Sequence, residues 1–168
     1  MTIKVYHGSN VVVESPLAGI GRENLDFGRG FYVTALPSQA EDWAGNKARY
    51  NMQNEGVVSV YELDKDTAIQ NSRYHKFEAY DREWLHFIVD CRGGGDGWKQ
   101  WDIIEGGVAD NRVIDTVENY ISGLIDETTA LGLLSQHQPN HQICIVRQTV
   151  IDDYMRFIES YKVKAYAE

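Results

Sequence analysis

A chain of 168 residues with 43% hydrophobic residues, 24% charged residues, 4 Trp and 10 Tyr has the apolar and aromatic mass of one folded domain, residues 1–168, and is too apolar for a disordered segment. Its formal charge of -9 argues against broad electrostatic binding to a nucleic-acid backbone or an anionic membrane. The start MTIKVYHG lacks a basic-then-apolar leader and no apolar run approaches ~18 residues, so a cytoplasmic protein without a membrane span is expected. Cys91 and Cys144 belong to no C-x-x-C or Cys/His cluster and are read as free buried thiols of a reducing compartment.

In chain order, Thr2–Tyr6 is read as a strand that delivers His7 and Gly8 to its end, where a ring nitrogen and unobstructed backbone groups can meet a flat polar ligand. From Val11 to Asp26, Pro16, Gly19 and Gly21 punctuate a surface loop long enough to be a lid. Gly28 and Gly30 then lead into a strand, Phe31–Thr34, whose alternation sends Phe31 and Val33 to the core and Tyr32 to a cleft. Pro37 opens a helix with a stripe of Ala40, Trp43, Ala44 and Ala48. Val57–Leu63 reads as a strand, Asp64–Asp66 as a turn, and Ala68–Ile69 as a short strand.

The spacing of Phe77, Tyr80, Trp84, Phe87 and Ile88 predicts an amphipathic helix over 76–90, ending at a flexible loop over Gly93–Gly95. That glycine run lacks the Lys-Ser/Thr of a phosphate loop. A weak alternation predicts a strand within Trp98–Ile104. Two helices follow, one on Val113, Val117, Tyr120, Ile121 and Leu124 and one over Glu127–Gln136. His141–Arg147 is the clearest strand, and Ile151, Tyr154, Met155 and Ile158 predict a closing helix. This order of elements predicts an α+β domain. Asp102, Glu105 and Asp110 are close in sequence, but they lack a calcium-loop spacing and a His to complete a transition-metal set, so no metal site is expected.

Three of these segments together resemble the NAD-binding motifs of the ADP-ribosyltransferases, in the branch of diphtheria toxin and the poly(ADP-ribose) polymerases. Tyr6-His7-Gly8-Ser9 is similar to the first motif, Phe27-Gly28-Arg29-Gly30-Phe31-Tyr32-Val33-Thr34 to the second, and Asn140-His141-Gln142-Ile143-Cys144-Ile145-Val146 to the third. Nearly the whole chain looks closer still to an uncharacterised bacterial family of ADP-ribosyltransferase-like proteins. The resemblance implies a split pair of β-sheets with flanking helices and NAD in the cleft between them. It implies that His7 bonds a ribose hydroxyl, that Gly8 pairs its backbone with the nicotinamide amide, that Ser9 supports the ribose or the strand end, and that Tyr32 stacks on the nicotinamide ring.

Two positions depart from that pattern. Gln142 stands where active members carry a Glu, and an amide accepts a hydrogen bond but offers no negative charge to an oxocarbenium-like state. Leu25 stands near the place of a second stacking tyrosine, so the clamp is one-sided or completed by another aromatic. Arg29 is read either as a pyrophosphate ligand or as an exposed loop charge. Glu83 is weighed as the missing carboxylate, and Arg92 is noted beside it.

Three functions follow: a bacterial NAD-dependent mono-ADP-ribosyltransferase acting on an unidentified protein or nucleic-acid target, as a toxin or modifier with a small antitoxin-like partner; a catalytically silent nucleotide- or partner-binding module; or an unrelated α+β domain in which His7, Tyr32 and Gln142 merely pack.

Overall fold

A computed structural model describes residues 1–165, which form an α+β fold of two sheets and six α-helices. The first sheet joins β1 (Thr2–Ser9), β3 (Glu55–Asp64) and β7 (Met155–Lys164) in the antiparallel order β1-β3-β7. The second has the order β2-β6-β5-β4, from β2 (Phe31–Val33), β6 (Gln142–Ile145), β5 (Ile103–Gly106) and β4 (Tyr74–Lys76), with only β4 and β5 parallel.

Strand alternation sorts the side chains into layers. Val5, Tyr61 and Leu63 of the first sheet meet Phe31, Val33, Ile103, Ile143 and Ile145 of the second, so the space between the sheets is an apolar core. On the outer side of the first sheet, Ala40 and Ala44 of α1 (Pro37–Tyr50) pack on Val58 and Val60. On the outer side of the second, Ile104 and Cys144 are covered by Trp84, Leu85 and Ile88 of α3 (Arg82–Arg92) and by residues of α4 (Ile114–Ile121) and α5 (Glu127–Leu134). Both cysteines are free and buried. Among the described residues no helix is long and apolar enough to cross a membrane.

Four expected elements differ, each for a local reason. Asp64 caps Thr67, so the segment read as a turn and strand is the short helix α2 (Lys65–Gln70). The helix expected from residue 76 starts six residues later, because Phe77 N–H donates to Glu105 O, prolonging the β4–β5 pairing, and Asp81 caps Trp84. A 3-10 turn, Gly97–Gln100, precedes β5 where a single strand is expected. The closing helix stops as α6 (Gln148–Tyr154), and Met155–Lys164 form β7, in which Ile158 is an exposed strand residue rather than part of a helical stripe.

Candidate functional site

The two sheets are stitched at one point. Tyr6 N–H donates to Thr34 O at 2.8 Å and Thr34 N–H to Tyr6 O at 2.9 Å. Antiparallel alternation then turns the N–H and C=O of Gly8, two residues on, toward that same edge. A side chain at Gly8 is impossible for another reason: a Cβ would lie 2.0 Å from Ala40 O and 2.9 Å from Trp43 Cβ, because α1 crosses directly over the strand. Gly8 therefore lets α1 approach and brings the base of Trp43 onto β1.

His7 lies in the inter-sheet layer, stacked on Phe31 with ring centroids 4.3 Å apart. Its Nδ1–H donates to Tyr32 O at 2.6 Å, which fixes the tautomer and leaves Nε2 as an acceptor. Burial pushes the imidazole pKa below its ordinary value, outweighing the Tyr32 carbonyl, and the nearby Lys47 charge pushes the same way. Ser9 Oγ bonds Asn10 at 3.3 Å.

Tyr32 points, as expected, away from Phe31 and Val33, but into the core beneath α3. Its hydroxyl donates to Gly28 O at 2.6 Å and accepts from Phe27 N–H at 3.0 Å, and burial raises its pKa. Gly28 has φ +82° and lies against the Trp98 ring, so this corner is built around a residue without a side chain. Tyr32 pairs with Cys144 across β2 and β6, which puts Tyr32, Cys144 and Gln142 on one face of the second sheet. His7 touches Tyr32 only through the backbone carbonyl, so its ring is on the other side of that sheet.

Gln142 is 3% exposed. Its Nε2 donates to Gly107 O at 3.2 Å and Asp26 Oδ2 at 3.4 Å. Since both partners are acceptors, the amide orientation is set, and Gln142 is not among the residues that line the cavity beside it. Asp26 also binds Ala109 N–H at 3.0 Å and takes Arg92 Nε and Nη2 at 2.9 and 2.6 Å. Arg92 is thus an ion-pair partner inside the fold. Glu83 is an exposed carboxylate 2.9 Å from His75 at the β4 side. Arg29 lies 3.6 Å from Glu23 on the loop, and Leu25 closes a turn through its carbonyl to Gly28 N–H. The loop expected as a lid is fastened: Val13 N–H donates to Ser59, Tyr61 hydroxyl donates to Val13 O, and Gln148 holds Pro16 and Ala18.

Open space lies beside this frame. A cavity of about 640 Å³ runs between the first turns of α1 and the 108–112 loop, with Trp43 on one wall and Asn140 in its lining. Asn140 bridges the walls, donating to Gln39 Oε1 at 2.9 Å and Asp110 Oδ2 at 2.5 Å while accepting from Val108 N–H at 2.7 Å. The lining carries Asp42, Asp110 and Arg112. Every group of the Arg112 fork is engaged, by Asp110, Gln138 O and Tyr80 hydroxyl. The α1 N-terminus adds little for an anion: Pro37 has no N–H, and those of Gln39 and Ala40 go to Leu36 O. Such a site suits a planar, neutral or cationic group with hydrogen-bonding edges.

A second polar cluster occupies the opposite face of β6. Glu105, 2% exposed, accepts from Tyr74 hydroxyl at 2.6 Å, Lys65 Nζ at 2.9 Å and His141 Nε2–H at 2.7 Å, while His141 Nδ1 accepts from Ala35 N–H at 3.1 Å. Burial pushes the Glu105 carboxyl up, but these bonds override it and hold the pKa down at about 2. Asp102 pairs with Arg73 and Arg147, and Asp110 with Arg112, so the three acidic residues weighed together as metal ligands have separate partners. Among the described residues no group of His, Cys, Asp and Glu is arranged to hold a metal. Motif spacing alone does not assign Trp43 or Asp26 to the site. Trp43 was visible only as the one large residue in an alanine stripe, and Asp26 only as an acid before Phe-Gly.

A family model described as "Protein of unknown function (DUF3990)" matches residues 3–157. No curated protein and no solved structure matches the chain.

Proposed function

The chain belongs to this family, DUF3990, and we propose that it is an NAD-dependent mono-ADP-ribosyltransferase, a toxin or modifier that uses NAD as substrate and passes ADP-ribose to a macromolecular target. The observation that carries this reading is the Trp43 cavity. The nicotinamide ring of NAD is planar, cationic and edged by a carboxamide, and the cavity offers an aromatic wall and several side-chain amides, with the Arg112 fork engaged by Asp110, Gln138 O and the Tyr80 hydroxyl. In this arrangement Trp43 supplies the aromatic wall that the sequence reading sought from Tyr32 and a second tyrosine, while Tyr32 acts through its backbone by fixing His7.

The chain's own groups then divide the work. Gly8 presents backbone groups at the sheet edge, and His7 Nε2 is an acceptor for a ribose hydroxyl. Gln142, 3% exposed and across the sheet from the His7 ring, bonds Gly107 next to the 108–112 wall of the cavity and bears on the site through that wall. The bond between ribose C1′ and the nicotinamide nitrogen breaks with its electron pair passing to the ring. The acceptor forms the new bond to C1′ and gives up a proton. Replacing a full carboxylate by the Gln142 amide typically lowers the rate by roughly 10²–10³, and some chemistry survives a loss of that size.

Trp43→Ala is expected to weaken NAD binding by about tenfold, the weight of one cation–π wall, and His7→Ala to abolish NAD consumption. Calorimetry with NAD and assay of released nicotinamide check both, and unchanged affinity in Trp43→Ala would remove the cavity from the reading. A silent NAD-binding module is the second reading, favoured by the neutrality and deep burial of Gln142. Calorimetric binding without nicotinamide release would establish it.

A further inference from the structure

We infer that Asp26 is a positioning residue that orients Gln142 and the cavity wall together, and places near the Gln142 amide the negative charge that its side chain lacks. The role in turnover rests on the function proposed above, whereas the coupling between the two residues does not.

The geometry is that of a shared acceptor. Asp26 is 9% exposed. Its Oδ1 takes both Arg92 bonds, which ties it to α3, and its Oδ2 takes Ala109 N–H from the cavity wall and Gln142 Nε2 from β6. One carboxylate thus registers three separate segments. A carboxylate accepting from the NH₂ end of an amide draws positive charge toward that end, which makes the Oε1 end a better acceptor. Arg92 pairs with Asp26 through Oδ1, on the side away from the Oδ2 that takes Gln142. The same arrangement explains the residue type at 142. A Glu there would set a second carboxylate against Asp26 Oδ2 and Gly107 O, and two such groups cannot both ionise cheaply.

The test is a charge relocation in the full chain: Asp26→Asn, Gln142→Glu and the combined variant, each followed by denaturation at pH 5 and pH 8 and by kcat and KM for NAD cleavage. Asp26→Asn should lower kcat about tenfold with KM nearly unchanged, the pattern of a lost transition-state interaction. Gln142→Glu should lose more stability at pH 8 than at pH 5, and adding Asp26→Asn should recover both its stability at pH 8 and its NAD cleavage. If the two substitutions act additively on stability and Gln142→Glu responds to pH as wild type does, the coupling is wrong. Should Asp26→Asn not fold, the pH response of Gln142→Glu alone still decides. Wild type that binds and cleaves no NAD, with the stability coupling intact, counts against the proposed function and leaves the Asp26–Gln142 arrangement standing.

Discussion

His141, just before β6, and Gln142, its first residue, face opposite sides of one sheet, and the two sides handle charge in contrary ways. On the His141 side a buried carboxylate, Glu105, is surrounded by an ammonium, a phenol and an imidazole, with its bonds directed inward. On the Gln142 side a buried neutral amide donates to Asp26, a carboxylate tied in turn to Arg92. A satisfied ion cluster secures architecture, because its energy depends on partners already in the fold. An amide held through its NH₂ end alone, as Gln142 is, has no ion of its own to anchor the fold and takes its position from the carboxylate beside it.

The strongest way to break that contrast is Glu105→Ala. Lys65 and the Tyr74 hydroxyl would lose their shared buried acceptor, and the clamp joining α2, β4, β5 and the β2–α1 corner would open. Stability should fall by about 3–5 kcal/mol, as for other buried pairs deprived of one partner. Chemical denaturation measures it. A loss under about 1 kcal/mol would mean that the cluster is incidental.

Acid should reveal the same cluster. Burial pushes the Glu105 and Asp102 carboxyls up, hydrogen bonds more than reverse this, and both pKa values lie at about 2. A folded-state value below the unfolded one contributes stability that is fully present above the unfolded pKa, roughly 4 for these groups, and is lost as pH falls toward 2. For Glu105 alone the loss is about 3 kcal/mol, from roughly 1.4 kcal/mol per pKa unit. Denaturation midpoints followed from pH 6 to pH 2 should drop steeply in wild type and less so in Glu105→Gln. Parallel profiles would place the acid sensitivity elsewhere.

What the sequence made legible follows from the range of the forces involved. The strands at 2–9, 31–33 and 142–145 and the α1 stripe announce themselves by local alternation or spacing, and they appear where expected. The helix misplaced at 76 and the strand mistaken for helix after 154 were decided by pairing with distant segments, Phe77 with Glu105 and Met155 with Leu63, which no local period records. The site divides the same way. His7, Tyr32 and Gln142 could be named from motifs, but the side of the sheet that each ring occupies is a register property. Trp43 joins the cavity frame through its contact with β1, and Asp26 through Arg92, Ala109 and Gln142, all far along the chain.

The smallest expected effect sharpens the contrast from outside. Glu83 was the residue weighed as a substitute for the missing carboxylate, and it stands exposed beside His75, whose ring packs on Trp101 and Phe77 at the β4 side of the second sheet. A surface pair of this kind contributes about 0–1 kcal/mol, and the Gln142 amide donates its hydrogen bonds to Asp26 and Gly107 instead. Glu83→Gln should therefore leave nicotinamide release and NAD affinity unchanged and shift the denaturation midpoint barely at all. A large fall in NAD cleavage with stability intact would move the functional charge from Asp26 to α3, and the Gln142 side of β6 would then depend on a carboxylate it does not touch.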